Sequence, residues 1–98
     1  MTNEQTADRG KEPPPSAATR AYMDAANQMH IDLAVPFSND ADRDFAAVMA
    51  AHHKGAVELA RIELQHGKDP EMRKLAEQIV SANESEIATL KAWQSKHQ

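Results

Sequence analysis

Ala41 to Glu71 reads ADRDFAAVMAAHHKGAVELARIELQHGKDPE, and this stretch decides the fold. Its apolar residues recur every three or four positions, the spacing of one face of a helix. Asp40 or Asp42 starts the run, because a carboxylate there accepts from the exposed N–H groups and suits the positive end of the helix dipole. Gly67 is read as the left-handed residue that ends it. Asp69-Pro70-Glu71 then starts another helix, with a capping side chain, proline at the first position and an acid in the first turn. The connection Gly67-Lys68-Asp69 is short, so the two helices are expected side by side and antiparallel.

Working outward, a further helix is expected from about Ala17 to Ala34, ended by Val35-Pro36, since the residue before proline avoids helical angles. Its stripes are Tyr22-Ala26-Met29-Leu33 and, beside it, Met23-Asn27-His30-Ala34. On the second helix the inner face is read as Phe45, Val48, Met49, His52, Ala56, Leu59, Ala60 and Glu63. On the third it is Met72, Ala76, Ile79, Asn83, Ile87 and Leu90, with Leu75, Val80, Glu86 and Trp93 alongside, running to about Ser95. The fold class is therefore all-α: an antiparallel helical bundle with three helices in the chain. Such a unit is one that a second copy could complete, because helical cores of this kind usually close with four helices.

Residues 1–16 are polar, contain Pro13-Pro14-Pro15 and lack apolar periodicity. They are expected to form a flexible tail, with residues 17–98 as the helical domain. About eighty residues make a core of marginal size, which metal, a partner subunit or very regular packing commonly supports. The net charge is −4, with no basic stripe and only one Trp and one Tyr, so nucleic-acid binding lacks its electrostatic footprint. No apolar run is long enough to insert in a membrane. No secretory signal is legible in Met1 to Lys11, which leaves a cytoplasmic location open. Cysteine is absent. That removes disulfides, thiolate catalysis and thiolate zinc sites, and leaves Met sulfur and His nitrogen as the soft donors, which tolerate oxidising compartments.

Those donors cluster. Met49 stands three and four residues before His52 and His53, so on a helix it neighbours both. One thioether and two imidazoles at this spacing suit a soft metal. His52 is expected to face inward and His53 the edge, since successive helical residues diverge by about 100°. His30 and Met29 on the first helix are further candidate ligands, at a similar height if the helices run up, down, up. By symmetry about the turn, His52 falls near Asn83 and Glu84, and Met49 near Glu86 and Ile87. Glu86 reads as a partner that orients a histidine, or as part of a structural polar layer.

Other patterns carry less. Glu63-Leu64-Gln65-His66 has the Glu-x-x-His form of di-iron bundles, but no second copy is found, and His66 suits the helix dipole. The acids from Asn39 to Asp44 resemble half of a calcium loop without its glycine or closing glutamate, and helix capping explains them. No phosphate loop or nucleophile motif is legible, and no catalysis is expected.

The order Asp42, Asp44-Phe45, Met49, His52-His53, Gly67-Lys68-Asp69-Pro70, Leu75-Ala76, Glu86-Ile87 and Trp93 resembles the bacterial domain of unknown function three hundred and five. The resemblance covers roughly Tyr22 to Trp93. It implies a ferritin-like helical bundle, and it implies kinship with exported, periplasmic proteins that bind copper(I) or silver(I). The family pattern has Met where this chain has Leu33, Leu59 and Leu90, Gln at Asn83, often Met near Ala26, and Ile-Pro at Ala50-Ala51. The changes from Met to Leu conserve packing volume but remove a soft ligand each. Met29, His30, Met49, His52 and His53 remain.

The reading that follows is a copper(I) or silver(I) binding protein for metal buffering or tolerance. The alternative is a non-catalytic helical module that pairs with a second copy and carries a degenerate metal site. A di-metal oxidase assembled across a dimer comes third.

Overall fold

The computed structural model describes residues 13–98. Residues 13–16 are non-helical. The rest of the tail expected at 1–16 lies outside the described residues. Three helices follow: α1, Ala17–Asp32; α2, Ala41–His66; and α3, Pro70–Lys96. There is no strand among the described residues. The all-α class stands.

Each helix begins at a side-chain cap. Ser16 accepts from the Thr19 N–H at 3.1 Å, Asp40 from Asp42 and Arg43, and Asp69 from Met72 at 3.0 Å. Of the two candidates for α2, Asp40 is the cap. Asn39 before it has φ 67°, a left-handed angle that Asn tolerates better than most residues. Asp44 also takes the Ser38 N–H and hydroxyl, both at 2.9 Å, which pins the entry loop to the first turn. At the far end His97 stacks on Trp93 with centroids 4.0 Å apart, and its Nδ1 lies 2.8 Å from the Trp93 carbonyl. That contact closes α3 one residue beyond the expected end.

Gly67 departs from expectation. Its φ of −74° and ψ of 155° are extended, not left-handed. Glycine is required there for space: a Cβ would run into the Glu63 carboxylate and come 2.6 Å from the Glu63 carbonyl oxygen. Arg73 does the capping instead. Its Nη1 donates to the carbonyls of Leu64 at 2.7 Å and Gly67 at 3.1 Å, so the first turn of α3 satisfies the last turn of α2.

α2 and α3 form the expected antiparallel hairpin, and α1 packs on α2 alone: no Cα of α1 comes within 8 Å of α3. α1 and α3 sit on different flanks of α2. Toward α3, α2 buries Ala46, His53, Val57 and Ala60; toward α1 it offers Gly55 and Ile62. Gly55 is two residues after His53, about 200° around the helix. The three helices thus form a layer with α2 in the middle.

This geometry corrects the expected stripes. α1 turns Ala21, Ala25 and Met29 to α2, while Tyr22, Ala26 and Met23 are exposed. On α2 the deeply buried line is 46-53-57-60: Ala60 lies where the sequence read it, but Ala46, His53 and Val57 each stand one residue on from the expected Phe45, His52 and Ala56, and Phe45 is 62% exposed. The reason is the double flanking: an Ala-rich helix packed on two sides buries a wide arc, and periodicity marks only its apolar centre. On α3 the expected line survives beyond its first residue: Met72 is exposed, Ala76 is buried, and Ile79, Asn83, Ile87 and Leu90 are partly so.

Candidate metal centre

Among the candidate ligands, the structure brings Met49 and His53 together. They are one turn apart on α2 and line one pocket with Phe45, and with Glu86, Thr89 and Leu90 of α3. The two histidines exchange their expected places. His53 is buried at 8% exposure, whereas His52 is exposed. The one-residue shift of the buried line accounts for it.

His53 Nε2 is hydrogen-bonded to Glu86 Oε1. A carboxylate only accepts, so the ring proton sits on Nε2. In the neutral ring Nδ1 is then a lone pair. That nitrogen is buried and has no hydrogen-bond partner. An unpartnered buried acceptor is costly in a structural histidine. It is the usual condition of an imidazole whose second nitrogen is fixed by a carboxylate and whose first is kept for a metal. The Glu86 side chain is itself 62% exposed, so its bond to His53 is not forced by burial of the acid.

His52 remains in range. Its ring centroid is 5.9 Å from that of His53, with the planes at 63°. With metal–nitrogen distances of about 2.0–2.1 Å, two imidazoles sharing one ion have centres about 5–6.5 Å apart, the larger values at wide nitrogen–metal–nitrogen angles. The separation therefore permits a shared ion.

Met29 and His30 do not join them, and the convergence of donors from all three helices is corrected. Met29 packs over Gly55 so closely that a Cβ there would collide with its Cε, on the flank of α2 away from His53. It fills a groove with Ala25, Asp32, Lys54 and Ile62, and Lys54 reaches Asp32 at 3.7 Å across the same seam. His30 is exposed on the outer side of α1. Met29 is thus the docking side chain of α1. Gly55 was the sequence signal for this: a glycine inside a helix costs about 1 kcal/mol against alanine, which calls for a close approach.

The α2–α3 register is near the expected one. Glu86 meets His53 and Glu84 meets Arg61 at 2.5 Å, whereas the symmetric reading set Glu84 level with His52. The extended Gly67 makes the turn asymmetric. Asn83 does not serve the imidazoles; its amide donates to the Ile79 carbonyl in its own helix at 2.9 Å.

Among the described residues, no three His, Asp or Glu side chains stand together as a metal-binding group. The Glu63 and His66 pattern thus gathers no second pair around it. The donors that do meet are one sulfur and one nitrogen, with a second nitrogen nearby. This set fits a soft ion of low coordination number and is too small for a hard ion that needs six oxygens.

The family model for the Domain of unknown function (DUF305) matches residues 1–94. The chain belongs to the DUF305 family. A comparison with curated proteins found no match. No helix among the described residues is long and apolar enough to cross a membrane.

Proposed function

We propose that this DUF305 protein binds a soft monovalent metal, copper(I) or silver(I), reversibly, for buffering or tolerance. The observation that carries the reading is the buried, unpartnered Nδ1 of His53, with Nε2 held by Glu86 and a thioether one turn away in the same pocket. Met49 and His53 are the donors, His52 is the third within reach, and Glu86 orients the ring. Copper(I) accepts two or three N and S donors. A small donor set on a partly open pocket also favours exchange over permanent retention. No reaction on a substrate is involved. Thiol-free donors suit an exported, oxidising location such as the periplasm.

The test is a copper(I) competition titration under reducing conditions, paired with thermal unfolding. The ion should stabilise the fold, since it binds only the folded pocket. His53→Ala and Met49→Leu should each abolish that gain, and His30→Ala and Met29→Leu should leave it. A gain that survives His53→Ala would overturn this assignment.

A second reading, a non-catalytic module that pairs with another copy of itself, is favoured by a separate observation: Phe45, Met72 and Leu75 stand exposed along one side of the hairpin.

A further inference from the structure

The three donors of the candidate site lie at three depths. His52 is exposed, Met49 is half-buried, and His53 is buried. They share little more than one turn of α2, and Met49 neighbours both histidines, three residues before one and four before the other. Met49 and His53 line one pocket. His52 is not part of its lining, although its ring centroid is only 5.9 Å from that of His53.

The deepest donor is closed to solvent. Glu86 holds Nε2 of His53, so Nδ1 is the free nitrogen, and Nδ1 is buried. A hydrated ion cannot meet that nitrogen first. It must first meet a donor that water also reaches, and of the three His52 is the most open. An exposed side chain changes rotamer within nanoseconds, whereas the His53 ring is tied to Glu86 across the hairpin. A permanent third ligand belongs in the pocket with the other two, where exclusion of water strengthens its hold on a charged ion. His52 stands outside, where water competes for the same ion.

We infer that His52 is an entry donor. It takes the ion from solvent or from a carrier, holds it together with Met49 at the surface, passes it to Nδ1 of His53, and then lets go. This rests on the metal-binding reading above and divides the labour within it. Met49 and His53 set how tightly the cargo ion is held; His52 sets how fast it arrives and leaves. Copper(I) takes two or three donors, so it gains His53 before it loses His52, with Met49 bound throughout. The separation of the two rings, which permits a shared ion, is what that three-donor moment needs. One nitrogen lone pair replaces another. The oxidation state is unchanged, and no proton has to leave Nδ1, because the ring proton sits on Nε2 against Glu86.

The test is stopped-flow exchange of copper(I) between the full chain and the chromophoric chelator bicinchoninate under reducing conditions. Rates are read over a range of chelator concentrations, and the equilibrium affinity comes from the same competition. Wild type is compared with His52→Ala, His52→Met and His52→Gln, with helicity checked by circular dichroism. A group that acts only on the path acts in both directions, so its loss cancels at equilibrium. His52→Ala should slow uptake and release alike by about tenfold, a barrier raised by one decade, and leave the affinity within about threefold of wild type. His52→Met sets another soft donor at the same exposed place and should restore both rates, whereas His52→Gln should not. If His52→Ala instead loses affinity by about tenfold or more and releases the ion faster, His52 is a permanent ligand and the entry role is overturned. Rates that are unchanged in His52→Ala, or that stay slow in His52→Met, overturn it as well. Each of these results leaves the metal reading standing. A wild type that takes up no copper(I) sinks the metal reading, and the entry role with it.

Discussion

Glu86 of α3 reaches across the hairpin to hold the buried ring of His53 on α2, and so fixes which nitrogen of that ring is left free. The bond ties the hairpin together and also sets the donor of the candidate site. Those two roles can be separated by substitution.

Glu86→Gln keeps a side chain able to accept from Nε2 but removes the charge that strengthens this bond. Copper(I) affinity should fall about 10- to 100-fold, the usual effect of losing a carboxylate behind a ligating histidine. Glu86→Ala should also destabilise the fold by about 1–3 kcal/mol, because a buried donor then loses its partner. Competition titration and denaturant unfolding read the two effects. Unchanged affinity in Glu86→Gln would show that the ring needs no orienting.

Gly55→Ala should destabilise the protein even though alanine is the better helix former. The propensity gain is about 1 kcal/mol. Against it, a Cβ at Gly55 meets Met29 near the root of its side chain, with Cγ at 2.9 Å, so α1 must shift. Overpacking of this kind costs about 1–3 kcal/mol. In a Met29→Ala background the obstruction is gone, and Gly55→Ala should stabilise. A double-mutant cycle on unfolding free energies measures the change of sign.

Arg73→Ala should loosen the end of α2, not α3. The guanidinium satisfies two carbonyls, those of Leu64 and Gly67, that no helical N–H reaches. A loss of about 1–3 kcal/mol is expected for hydrogen bonds from a charged donor. Hydrogen exchange should speed up mainly at the end of α2.

Tyr22 gives an alkaline limit. Burial, and then the Glu63 carboxylate beside it, raise the phenol above its ordinary value of 10.0. Below that value the phenol is protonated in both folded and unfolded chains, and its contribution is constant. Above it the unfolded chain gives up the proton first, so stability falls as pH rises through the raised value. Tyr22→Phe should remove that part of the alkaline fall, read by unfolding at several pH values from 8 upward.

The hairpin was legible because its signals are local. Asp40, Asp69 and Pro70 act within one turn of themselves, and the Gly67 connection is too short for any other arrangement of α2 and α3. The donor cluster was half legible: a spacing of four residues sets Met49 beside His53 on any helix. Glu86 as a histidine's partner followed from its place beside the inner stripe of α3, where a carboxylate needs a partner, whereas the symmetric pairing set it level with Met49.

The sequence by itself determined three helices, the capped starts of α2 and α3, the antiparallel hairpin and the grouping of one sulfur with two imidazoles, because each depends on neighbours a few residues apart. Tertiary structure alone decided that His53 and not His52 is buried, and that Met29 docks on Gly55 instead of joining the donors. The physical reason is the central place of α2. Packed on two flanks, it buries residues on both sides of its apolar stripe, and which neighbour covers which flank is something no periodicity in a single helix records.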